Sequence, residues 1–108
     1  MGKVAFMKKT FVGMVERTEQ WDRSKQAHEQ PGFADHAAYM GTLEQDGFIA
    51  MAGLLTESEH ILFVFLADSE AQVRERLAQD PWQKSGMARL IRLEEAHFRI
   101  GAPAGAAG

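Results

Sequence analysis

Two nearly unbroken apolar runs, Phe48 to Leu55 and His60 to Ala67, are separated only by Thr56-Glu57-Ser58-Glu59, and they set the terms on which this chain folds. Each run has the length and the Ile, Leu, Val and Phe content of a strand, and four polar residues suffice for a hairpin loop. The pair predicts two antiparallel strands. Their apolar residues fall in both phases of the strand period, so both faces of the resulting sheet need a cover.

The segments around this hairpin alternate in type. Thr10 to Glu16 is a β-rich apolar run, and Arg17 to Gln30 is a polar stretch without period that carries Trp21, which predicts a strand and a long loop. After Pro31-Gly32, the residues Phe33, Ala37, Met40 and Leu43 recur at helical spacing as far as Gly47, a residue suited to a left-handed helix end. Ser69 with Gln72 three positions later opens a second helix, with Val73 and Leu77 on one face. Asp80-Pro81 caps a further short turn ending near Gly86. From Met87 to Ile100 the apolar phase changes around Glu94-Glu95, which predicts a fourth strand with a bulge there.

The order strand, helix, strand, strand, helix, strand is the split βαβ pattern of an α+β, ferredoxin-like βαββαβ domain with a four-stranded antiparallel sheet. Two helices cover one sheet face only, and a second copy is the commonest cover for the other, so a homodimer packed sheet on sheet is expected. A chain of 108 residues, 45% of them hydrophobic, supports one core and one domain. We place it at residues 7–101, after an N-terminal extension at 1–6 and before a Gly/Ala-rich flexible tail at 102–108.

Composition narrows the function classes. Twelve Lys plus Arg stand against 15 Asp plus Glu, interspersed along the chain, so no basic stripe is present to track nucleic acid. No apolar run reaches the ~20 residues that span a bilayer, and no apolar secretory stretch follows Met1; the expectation is a cytoplasmic protein without membrane contact. There are no cysteines, and His28, His60 and His97 lack the two-His spacing of a helix-borne site, so no metal is expected. Neither the dinucleotide fingerprint nor a P-loop occurs, and no cofactor is implied.

The candidate residues each carry two readings. His36 shares a helical stripe with Phe33, Met40 and Leu43 and points toward the sheet, as a proton carrier or as a satisfied core histidine. Asp80 precedes Pro81, where a helix cap needs a side-chain acceptor. Trp21, Phe65 and Trp82, with Met40, line a pocket for a flat apolar molecule or serve simply as core. Arg17 and Lys25 flank the loop around Trp21 and either bind an anion or are solvated.

Trp21-Asp22-x-Ser24-Lys25, Glu29-Gln30, His36, Gly47, Ala52-Gly53, Asp68-Ser69, Asp80-Pro81-Trp82 and Gly86 together resemble the YCII-related (YciI-like) proteins over most of the chain. Leu54 departs from the pattern, where many relatives have Pro after Ala-Gly. The resemblance implies a dimeric α+β barrel. It also implies a dyad of His36 and Asp80 as the active site. The cap and dyad roles of Asp80 are compatible, one carboxylate oxygen capping the turn while the other holds the imidazole. One branch of the family is similar to enzymes that remove chloride from chlorinated hydroxyhydroquinones, and the wider superfamily includes lactone isomerases and monooxygenases needing no cofactor. Two functions stay open. One is a cofactor-independent lyase, isomerase or dehydrochlorinase-like enzyme moving a proton on a small cyclic or aromatic substrate. The other is a non-catalytic module binding a small ligand.

Overall fold

The structure is a computed structural model that describes residues 8–106. The extension at 1–6, the first residue of the expected domain and the last two of the tail lie outside the described residues.

Strands β1 (Lys9–Arg17), β2 (Ile49–Leu54), β3 (Ile61–Ala67) and β4 (Ala88–Ala96) form one open antiparallel sheet in the order β2-β3-β1-β4. Helices α1 (Phe33–Gln45), α2 (Glu70–Leu77) and α3 (Pro81–Ser85) complete an α+β arrangement compatible with the ferredoxin-like pattern. No helix among the described residues is long and apolar enough to cross a membrane.

Strand register decides which residues meet the helices. Phe11 pairs with Phe65, Gly13 with Phe63 and Val15 with Ile61, so these alternate positions share one face. That face packs with Leu43 of α1, Val73 and Leu77 of α2 and Trp82 of α3 into the hydrophobic core. On the other face Val12, Met14, Leu62 and Leu66 stay partly exposed, while Thr10 and Val64 in the same phase are buried. Gly13 leaves no room for a side chain: a Cβ there would lie 2.9 Å from the Phe65 ring.

The helix ends follow local chemistry. Ser69 Oγ accepts the Gln72 backbone N–H at 3.1 Å, and Gln72 Oε1 accepts from Asp68 N–H at 2.7 Å, one residue before the position a strict capping box would use. Helix α1 gives way to the hairpin through Gly47 at φ 77°, a conformation in which a Cβ is strained.

Two expectations for β4 are corrected. The bulge falls at Ile91, because Met14 pairs with Arg92 and Val15 with Leu90, not at Glu94-Glu95. Leu90 and Leu93 both pack on the core three positions apart, which a period of two cannot achieve without one extra residue between them. The strand also ends at Ala96 rather than Ile100, leaving Phe98 and Ile100 exposed. Beyond β4 the chain returns to the start of β1, where Lys8 N–H donates to Gly105 O at 2.9 Å.

Candidate functional site

A half-open cleft of about 610 Å³ lies between α1 and strand β2, inside the 300–1,000 Å³ range usual for small-molecule sites. Its floor and walls come mainly from helix α1 and strand β2, with further residues from the other strands, the loop after β1, the end of α2, and Asp80 with α3.

The loop from Thr18 to Gln30 carries Trp21 and is fixed from within. The buried Gln30 amide accepts the Asp22 N–H at 3.1 Å and donates to the carbonyls of Asp22 (2.7 Å) and Lys25 (3.2 Å). Asp22 Oδ1 accepts from both the hydroxyl and the backbone N–H of Ser24, and these bonds hold its carboxyl below the ordinary value. Thr18 ties the loop to the end of α3 through its hydroxyl, 2.6 Å from Gly86 O.

His36 lies in the second turn of α1, one turn before Met40, and its Nδ1 is 2.7 Å from Asp80 Oδ1. Asp80 is the N-cap of α3, and the same Oδ1 accepts the Trp82 backbone N–H at 3.2 Å. The expected division of labour between two carboxylate oxygens is therefore corrected: one oxygen performs both tasks, because the cap geometry already aims Oδ1 at α1. The side chain of Asp80 is 4% exposed and that of His36 19%. The imidazole stacks flat on the Trp82 indole, 3.7 Å between centroids and 12° between planes. Trp82 is itself anchored by Nε1–H donation to Pro31 O at 2.8 Å, and Trp21 meets it edge-on at 5.1 Å.

These contacts define what the imidazole can do. With Oδ1 accepting, the proton sits on Nδ1 and the Nε2 lone pair is left free. Among the described residues Nε2 has no hydrogen-bond partner, and no buried side-chain nitrogen or oxygen is left without one, so Nε2 is accessible, on a residue that lines the cleft.

Trp21, Met40 and Trp82 line the cleft together with His36 and Asp80. Phe65 does not, and its expected substrate-binding place is corrected. It is fully buried on the central part of the sheet, 5.2 Å from the rings of both Phe48 and Phe63. Lys25 is turned away toward Asp22, 4.0 Å distant. Arg17 lines the cleft, as do Phe33, Glu44, Ile49 and Gln83, which sequence reasoning did not single out. Phe33 had a signal, since it stands three residues before His36 on the same stripe. Glu44 and Gln83 had none. His28, His60 and His97 lie outside the cleft lining, and among the described residues no three His, Asp or Glu side chains gather as a metal site.

No protein-family model and no curated protein matches this chain.

Proposed function

We propose that this protein is a cofactor-independent enzyme in which His36, oriented by Asp80, moves a proton on a small cyclic or aromatic substrate. The observation that carries the reading is the His36–Asp80 hydrogen bond of 2.7 Å beside the cleft, with Nε2 unpaired and accessible. A base must stand within hydrogen-bond reach of the proton it takes, and a ring nitrogen at the wall of an apolar cleft satisfies that geometry.

In the step proposed, the Nε2 lone pair takes a proton from a substrate C–H or O–H. The imidazolium so formed is stabilised through Nδ1–H by the Asp80 carboxylate. Returned to a different atom, the proton completes an isomerisation. If instead the electron pair left on the substrate expels chloride, the net loss is HCl and the imidazolium passes its proton to water. Both outcomes accord with the resemblance to YCII-related proteins, which we retain as part of the proposal together with a two-fold dimer closing the second sheet face.

The competing reading is a binding module, favoured by Asp80 acting as the cap of α3 whether or not chemistry occurs. Incubation with small lactones and chlorinated hydroquinones in D₂O separates the two. Protein-dependent deuterium incorporation or chloride release, lost in His36→Ala, supports the enzyme. Saturable binding without exchange or release in either protein supports the module.

A further inference from the structure

The cleft lining also includes a cation without a hydrogen-bonded partner among the described residues. Arg17, the last residue of β1, keeps its guanidinium carbon 4.2 Å above the Trp21 ring, and its side chain is 21% exposed. A guanidinium carries five N–H donors, and burial without acceptors is costly. Among the described residues those donors make no hydrogen bond. The nearest carboxylate oxygen, Glu59 Oε1, stands 3.8 Å from Nη1, beyond hydrogen-bond length. Glu59 is also shared with Arg23 at 3.5 Å and is largely exposed, so it is not Arg17's own counter-ion. No buried side-chain nitrogen in the described residues lacks a partner, so the unpaired guanidinium nitrogens are accessible, and Arg17 is one of the residues lining the cleft.

Charge distinguishes where in the cleft an anion is favoured. Among the lining residues Asp80, behind His36, and Glu44 repel an anion, whereas Arg17 attracts one. Between Arg17 and His36 runs an aromatic ladder of Arg17 on Trp21, Trp21 on Trp82 and Trp82 on His36. Its steps of 4.2, 5.1 and 3.7 Å allow at most about 13 Å from guanidinium to imidazole.

We propose that the cleft selects small monocarboxylates with a flat, apolar ring body, the carboxylate on Arg17 and the ring beside Trp21 and Met40. This assignment rests on the reading of the cleft as the site of His36. Arg suits the task because its planar fork matches a carboxylate with two parallel hydrogen bonds.

The test is titration of the ¹⁵N-labelled protein with benzoate and with its neutral analogue benzamide, followed at the two tryptophan indole N–H resonances. Benzoate is expected to shift both signals saturably and to bind at least about tenfold more tightly than benzamide. Arg17→Met removes that preference, and so does Arg17→Gln, which serves where the first variant does not fold; His36→Asn retains it. Equal affinity for the two compounds, a preference that survives in the folded Arg17 variant, or unmoved indole signals would overturn the assignment. No turnover is read, so an inert His36 leaves this result standing. A failed preference likewise leaves the deuterium experiment intact.

Discussion

His36 is held on two sides, by a carboxylate at Nδ1 and by an indole under its ring, and the two contacts predict different variant behaviour. His36→Ala removes an aromatic stack and one hydrogen bond, so its stability is expected to fall by about 1–2 kcal/mol without loss of the fold, read as a lower urea midpoint. Its proton-transfer rate is expected to fall by roughly 10²–10⁴. Asp80→Asn separates cap from chemistry. Asn still accepts the Trp82 N–H, so stability changes by well under about 1 kcal/mol, while the amide no longer balances the imidazolium and the rate falls by about 10²–10⁴. The Asp22 carboxyl supplies the acid-side prediction. Its folded value lies below the ordinary one because Ser24 donates to it, so its contribution is present above the unfolded value of about 3.9 and is lost as pH falls through the folded value. Ser24→Ala is expected to move the Asp22 titration upward, toward the ordinary value, in a carboxyl NMR pH series.

The strands and helices were legible where local chemistry and pattern agreed. The hairpin of β2 and β3, the Ser69 and Asp80 caps and the Gly47 end of α1 each follow from residue types that leave one conformation favourable. The bulge of β4 was displaced because its cause is tertiary: Leu90 and Leu93 must both reach the core, and Glu94-Glu95 only imitates a phase change on an exposed edge. Phe65 was misplaced for a related reason. Aromatic residues in a run apolar in both phases carry no label for core or cleft, and only the Phe11 pairing and the cover by Phe48 assign it to the core. The closeness of Gly13 to Phe65 was likewise invisible in one dimension. Gly13→Ala forces that ring to shift in a packed interior and is expected to cost about 1–3 kcal/mol in chemical denaturation.

At the scale of the molecule, one sheet face is covered by helices and the other presents Val12, Met14, Leu62 and Leu66 partly exposed, while edge strand β2 leaves Met51 57% exposed. The proposed dimer would cover that second face and brace the sheet that forms one wall of the cleft. Light scattering is expected to give twice the 12.0 kDa chain mass, and Met14→Lys, on the uncovered face, is expected to give the single mass with the fold retained. A wild-type protein at 12.0 kDa would remove the dimer without touching the cleft. The cleft itself depends on α1, α3 and the sheet placing one imidazole nitrogen against Asp80 and leaving the other unpaired and accessible. The most direct measurement of that arrangement is the tautomer of His36, read by long-range ¹H–¹⁵N correlation of the histidine rings at neutral to mildly basic pH. The account predicts a proton on Nδ1 and a bare Nε2, shifting to a mixture in Asp80→Ala, which removes the acceptor, and persisting in Asp80→Asn, whose Oδ1 stays in place. A His36 protonated on Nε2 in the wild-type protein would contradict it, because no lone pair would then face the cleft.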